Sequence, residues 1–136
     1  YNNPDKDITG LGKQFIIFNH DALEMYRSVF ICEGALNALT MGDRGIATMG
    51  KAISQYQVNE LLKSQCQRYI ILLDPDARSY AVNLALKLVA YKKVKVVFLP
   101  EGFDVNDLGK KQTLKLVYQT RYQSYQELIQ IRNSLE

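Results

Sequence analysis

Five carboxylates carry the chemistry this sequence is equipped to do. Glu33 follows the apolar run Val29-Phe30-Ile31-Cys32. Asp74 and Asp76 follow Tyr69-Ile70-Ile71-Leu72-Leu73, and Asp104 and Asp107 lie just past Val94-Lys95-Val96-Val97-Phe98-Leu99-Pro100. Short, continuous apolar runs of this kind are the composition of strands buried on both faces. Parallel strands share one direction, so acids that follow them collect at one edge of the sheet. In open α/β sheets that is the edge where ligands bind. Carboxylates gathered there repel by on the order of 1 kcal/mol for each close pair even in water. A hard divalent cation removes the penalty: Mg2+ takes oxygen ligands, keeps several waters and needs one or two carboxylates per ion. Any one of these acids is equally a turn or cap former; the recurrence at three strand ends is what points to a cation.

The other ligand types narrow the ion. His20 is the single histidine, and the two cysteines, Cys32 and Cys66, form no CxxC pair. Structural zinc wants four N or S ligands at short spacing, so no zinc is expected in this chain and Mg2+ (or Mn2+) is the natural choice. Nor is there a disulfide framework; the thiols read as buried or half-buried side chains.

The elements that must position these acids alternate along the chain. Phe15–Phe18 is a short strand candidate, and residues 21–27 read as one or two helical turns with Asp21 as a cap. Val29–Cys32 is a strand, Ala35–Met41 a helix carrying Leu36 and Leu39, and Gly45–Met49 a second strand ended by Gly50. Ser54 caps a helix that runs to about residue 64. Tyr69–Leu73 is the third strand, and Pro75 argues that pairing stops there. Ala77–Tyr91 is helical, with Leu84, Leu88 and Tyr91 beside Ala81 and Ala85; Val94–Leu99 is the fourth strand, ended by Pro100. Strand and helix in alternation predict parallel βαβ units, an α/β fold. Beyond Asp107 the strands cease, and residues 111–135 read as helix with Leu114, Tyr118, Tyr125, Leu128 and Leu135 on one stripe. The domains expected are a linker or the trailing edge of a preceding subdomain over 1–27, a core over 28–108, and a helical extension over 109–136.

Composition excludes several classes. The chain has 136 residues, 47% hydrophobic and 23% charged, which is ordinary for a single globular domain and unlike disordered or collagenous chains. No apolar run approaches the roughly 18–20 residues a membrane helix needs. Residues 1–76 hold 7 Lys/Arg and 9 Asp/Glu, and residues 77–136 hold 10 and 5. An acidic first part before a basic second part fits a cation site beside a phosphate-bearing partner, and also an unselected surface. The chain opens Tyr1-Asn2-Asn3-Pro4-Asp5 with no methionine, and a piece of a longer protein is expected.

The arrangement resembles the TOPRIM domain of bacterial-type primases, type IA and type II topoisomerases and some small nucleases. The resemblance rests on Phe30-Ile31-Cys32-Glu33-Gly34, then Thr48-Met49-Gly50, then Leu72-Leu73-Asp74-Pro75-Asp76, then Gly102-Phe103-Asp104-Val105-Asn106-Asp107, and covers residues 28–108, about 60% of the chain. The frame Leu99-Pro100-Glu101-Gly102-Phe103-Asp104 is most similar to the primase and helicase-primase branch, phage-type members included. Two positions depart from that branch: Asn106 stands where a second acid is usual, and Ser79 where Gly is usual.

The resemblance implies a TOPRIM-like parallel sheet flanked by helices, Rossmann-like, and a DNA primase, a nucleotidyltransferase making RNA primers for DNA replication by two-metal phosphoryl transfer. It implies Glu33, Asp74 and Asp76 as catalytic residues, with Glu33 a general acid/base or orienting group. It also implies Glu33, Asp74, Asp76, Asp104 and Asp107 as metal ligands. Gly34 and Gly50 would admit a phosphate to the backbone, with Gly50 equally readable as a turn glycine. Lys51 and Arg78 would contact phosphate, or else stand as solvated surface charges. Lys92, Lys93, Lys95, Lys110 and Lys111 are a looser basic set, readable as template contacts or as a solvated face. Tyr118, Tyr122 and Tyr125 could stack bases or pack at helical spacing. The implied partners are a single-stranded DNA template, NTPs and a replicative helicase, fused or separate, with no membrane, in the cytoplasm of a bacterial cell or phage-infected host. Such primases also need a template-gripping subdomain, so this chain alone is expected to make little or no primer. A TOPRIM-type Mg-dependent nuclease, and a non-catalytic scaffold that binds a helicase or nucleic acid, are the alternatives.

Overall fold

Four short parallel strands form the sheet in the computed structural model, which describes residues 15–136. Of the linker or trailing edge read over residues 1–27, residues 1–14 lie outside the described residues. The strands are β1 (Ser28–Cys32), β2 (Gly45–Ala47), β3 (Arg68–Ile71) and β4 (Lys93–Val96). The helices are α1 (Ala22–Met25), α2 (Ala35–Met41), α3 (Gln55–Lys63), α4 (Arg78–Leu88), α5 (Val105–Gln119) and α6 (Tyr125–Ser134).

The strand order is β2-β1-β3-β4. The chain leaves β1 for β2 on one side, then passes back over β1 to reach β3 and β4. The order therefore reverses between β1 and β3, and the loops leaving these two strands diverge around a crevice. Register aligns Ile31 with Ile46 and Ile71, and Ile71 with Val96, as one row across the sheet.

Both faces are covered, as the continuous apolar runs require. Val29, Ile31, Tyr69, Ile71, Val94 and Val96 pack on one side with Val58 and Leu61 of α3, Val82, Ala85 and Leu88 of α4, and Leu128 of α6. On the other side Cys32, Ala47, Ile70 and Leu72 pack with Ala38 and Met41 of α2 and Val105 and Val117 of α5. Both cysteines are free and buried.

Several sequence expectations shift in detail. Phe15–Phe18 forms no strand: Phe18 alone makes an antiparallel bridge to Ala47, and Phe15 and Ile16 are exposed. Asp21 precedes α1 but its side chain makes no cap hydrogen bond. Strands β2, β3 and β4 end two or three residues earlier than their apolar runs, because the buried residues past each end, such as Leu72 and Leu99, already belong to the loops that turn toward the crevice. Tyr91, Leu36 and Leu39 are exposed.

The largest correction concerns the last third. The stripe read over 111–135 is two helices on opposite faces: α5 packs with α2 and α6 with α4. Of the stripe only Leu128 is fully buried, and Tyr118 and Tyr125 stand in solvent. The boundary drawn at 109 falls inside α5, where Gly109 has φ +80° and kinks the helix. Between α5 and α6 the chain wraps around the open edge of β4. Gln123 donates through its backbone N–H to Val94 O (3.0 Å), accepts from Val96 N–H through Oε1 (2.7 Å) and donates through Nε2 to Val96 O (3.2 Å). The edge strand is thereby closed to other chains.

Lys95 is part of the same wrap. Its Nζ donates to Val117 O and Thr120 O, both at 2.8 Å, and lies 4.8 Å from the Tyr122 ring centre. Lys92 donates to Ser64 O (2.8 Å) and Cys66 O (2.7 Å). Neither ammonium is a solvated template contact; each closes carbonyls that the loops leave open. Lys93, Lys110 and Lys111 are exposed.

Gly45 marks the tightest approach between α2 and the sheet, since a Cβ there would overlap the Ala38 carbonyl oxygen. Backbone cannot yield as a side-chain tip can. Gly45→Ala is therefore expected to cost about 2–3 kcal/mol, read as a lower urea midpoint at unchanged slope.

Candidate metal centre

The exits of β1 and β3 build the site. Cys32 O accepts from Thr48 N–H (3.1 Å) and Glu33 O from Gly50 N–H (3.2 Å), which ties the turn after β2 to the end of β1. That turn holds Met49 at φ +65°, in the left-handed region most side chains avoid, and Gly50 at φ +153°. On the other side Leu72 N–H donates to Ile31 O (2.8 Å), after which Asp74 leads into a single 3-10 turn, Pro75–Ala77. Pro75 stands at its first turn, where its missing N–H costs nothing and its fixed φ sets the bend.

These exits bring Glu33, Asp74 and Asp76 together: one carboxylate oxygen of each lies within 4.8 Å of the others. Glu33 Oε1 is buried without a hydrogen-bond partner, a costly condition unless a proton or a cation answers it. Burial, then the nearby Asp74 and Asp76 charges, push the Glu33 carboxyl above its usual range, with Lys51 opposing. Asp74 is raised by burial, then by Asp104, Asp76 and Asp107. An all-oxygen donor set with unrelieved negative charge fits Mg2+ or Mn2+.

The remaining sequence candidates fall at different distances from this trio. Lys51 Nζ is 3.7 Å from Asp76 Oδ2 and 5.9 Å from the Tyr80 ring centre. Gly34 and Gly50 face open space, with nothing within 4 Å of where a Cβ would stand. Asp104 and Asp107 lie outside the trio and form a capping box at the start of α5. Asp107 N–H donates to Asp104 Oδ1 (2.7 Å) and Asp104 N–H to Asp107 Oδ2 (3.0 Å). One oxygen of each is thus held by backbone, while both charges still act on Asp74. Arg78 is turned away from the trio. It donates to Glu101 Oε1 (2.8 Å) and Leu99 O (2.7 Å), lies 5.4 Å from the Phe98 ring centre and braces the loop after β4.

Asn37 is the site residue that sequence reasoning missed. It is buried on α2 beside Ala38. Its Nδ2 donates to Asp74 Oδ1 at a long 3.4 Å, and its Oδ1 accepts from Asn106 N–H at 3.0 Å. Thr40 Oγ1, one turn on, donates to Asn106 Oδ1 (3.2 Å). The sequence pointed the wrong way here: Leu36 and Leu39, the apolar positions read for this helix, are exposed, and the buried side carries Asn37, Ala38 and Met41.

No family model matches the chain. A DNA primase of Lactococcus lactis subsp. lactis (strain IL1403) is 26% identical over 112 residues, covering 76% of this chain and 17% of the relative. A DNA primase of Aquifex aeolicus (strain VF5) is 29% identical over 129 residues, covering 85% and 26%. The E. coli primase catalytic core superposes with TM-score 0.67 at 18% identity, over 90% of this chain and 44% of that one. A DnaG catalytic core gives 0.62, also at 18% identity, over 81% and 41%. The chain resembles the TOPRIM-like domain of DnaG-type primases. The solved primase cores share its fold, and it spans about a sixth to a quarter of the length of the two primase relatives. Among the described residues no helix is long and apolar enough to cross a membrane.

The raised carboxyls give the acidic trio a signed pH dependence. An acid whose folded-state pKa is raised stabilises the fold while protonated, and that contribution is lost as pH climbs through the carboxylate range. Asp74→Asn removes the loss. Its melting temperature, measured without divalent ions, should match wild type near pH 4 and exceed it at pH 7 by a few degrees, corresponding to ~1 kcal/mol. Mn2+ should raise the wild-type melt and leave the variant unmoved. Equal melts at pH 7 would show that the trio carries no strain.

Proposed function

We propose that this chain is the metal-binding TOPRIM part of a DNA primase, which joins ribonucleotides on a single-stranded DNA template to start replication. The observation that carries the reading is the convergence of Glu33, Asp74 and Asp76 at the exits of β1 and β3, with Glu33 Oε1 buried and unpartnered, on a primase-like fold. Asp74 and Asp76 would hold Mg2+ (or Mn2+), and Asp104 and Asp107, charged and close enough to act on Asp74, would help with a second ion. When bound, two such ions supply charge neutralisation to the attacking and leaving oxygens of an in-line phosphoryl displacement.

The chain's own groups do the rest. Glu33, whose carboxyl holds its proton more tightly than usual, is suited to take or return a proton at the attacking hydroxyl. Gly34 and Gly50 leave room for a phosphate to approach backbone. Lys51, tethered to Asp76 by an exposed 3.7 Å contact worth little in itself, is free to swing toward an incoming triphosphate. Arg78 serves by bracing the loop that leads to Asp104. NTPs, the template and a replicative helicase are the partners this reading carries, in the cytoplasm of a bacterial or phage-infected cell. The chain alone is expected to bind metal and to make little or no primer, because nothing in the site itself grips a template.

The test uses single-stranded DNA circles, labelled NTPs and Mg2+ or Mn2+, with this chain and with the longest natural chain that carries it. Short RNA from the longer chain, reduced to background by Asp74→Asn/Asp76→Asn, is the expected result. Nicked or linear circles without RNA would replace the primase reading with a nuclease. Neither product would leave a binding scaffold.

A further inference from the structure

Asn37 joins the acids that follow β3 to the turn of acids that opens α5. Its amide nitrogen faces Asp74 Oδ1 and its amide oxygen holds the N–H of Asn106, in the first turn of α5. That turn is the one closed by Asp104 and Asp107. Thr40 adds a second tie from the same helix to Asn106. Asn37 is 7% exposed, so the amide is held in one orientation by its surroundings rather than by water.

Charge explains why such a joint is needed. Asp74 is crowded by Asp104, Asp76 and Asp107, and without an ion every one of these groups gains by moving apart. The sheet fixes the backbone of Asp74, but α5 is attached past a long loop and kinks at Gly109. A neutral amide can sit between two acidic groups without adding to the repulsion, giving a proton to one side and taking one from the other. A carboxyl partner would do so only with a further charge.

We propose that Asn37 is a positioning residue for the metal centre: it orients the Asp74 carboxylate and holds the Asp104–Asp107 turn against it, so that the acids meet an incoming divalent ion already gathered. The inference rests on the metal-site reading above and deepens it. Hydrogen-bond partners that orient metal-ligating side chains are worth 10–100-fold in metal affinity.

The test is calorimetric titration of Mn2+ into this chain, well below the melting temperature, for wild type, Asn37→Ala and Asn37→Ser. Asn37→Ala is expected to bind Mn2+ 10–100-fold more weakly than wild type. Asn37→Ser, too short to reach both partners, should behave likewise and stands in if the alanine variant does not fold. A purely structural role would lower the melting temperature of the alanine or serine variant yet leave Mn2+ affinity within twofold of wild type, which would overturn the proposal. Absence of Mn2+ binding by wild type would remove the metal reading itself, and this inference with it.

Discussion

Mutual repulsion among carboxylates is the constraint around which this chain is built. β1 and β3 pair directly over Ser28 to Ile31 and Arg68 to Ile71, so residues two or three steps past the paired stretch have little freedom to separate. Glu33 and Asp74 are neighbours because the ladder that precedes them is buried on both faces and does not slip. The reversal of strand order then sends the chain away on opposite sides, leaving the acids at the mouth of a crevice without an intervening helix. Packing worth many kcal/mol thus holds together charges that cost roughly one each. The core decides the outcome, and an unrelieved site is what it leaves.

The same economy explains the turn after β2. Met49 at φ +65° is a conformation that costs of order 1 kcal/mol or more for a residue with a side chain. It persists because Thr48 and Gly50 are both bonded to the β1 exit and because Met49 packs against the α2–α5 face. The result places Lys51 beside Asp76, the most exposed member of the trio. A strained backbone thus stands one hydrogen bond, Gly50 N–H to Glu33 O, from the residue with the unpartnered carboxylate oxygen.

How much of this was legible depended on whether the deciding interaction was local. The β1–α2 unit was readable nearly to the residue, because an apolar run followed by Glu-Gly sets its own strand end, and the β3–α4 unit to within two or three residues. Ser54 declared the start of α3, and Gln57 completes a capping box there. Asp104 and Asp107 declared one as well, at the same three-residue spacing, and were read as ligands where the structure uses an oxygen of each as a cap. The last third failed for a different reason. Helical periodicity from 111 to 135 gives a stripe but not the sheet face it covers, and the break at 120–124 is set by Gln123 binding the edge of β4, a contact with no local signature. Lys95 and Asn37 were illegible in the same way: a polar residue in an inward position announces that a partner exists and says nothing of where.

Charge distribution shows how far a sequence-level sum can mislead. Residues 77–136 carry an excess of five positive charges, which invites a polyanion. Yet Lys92 and Lys95 spend their ammonium groups on backbone carbonyls, Arg78 on Leu99 and Glu101, and Arg121 on Glu127. Four of the ten basic residues of 77–136 are thus engaged within the chain: Lys92 on the loop before β3, Arg78 on the loop past β4, and Lys95 and Arg121 on the wrap around its edge. The loop past β4 ends at Asp104, the first residue of the α5 cap. The basic half of the chain bears on the acidic trio through Arg78, which braces the loop leading to the acids that act on Asp74.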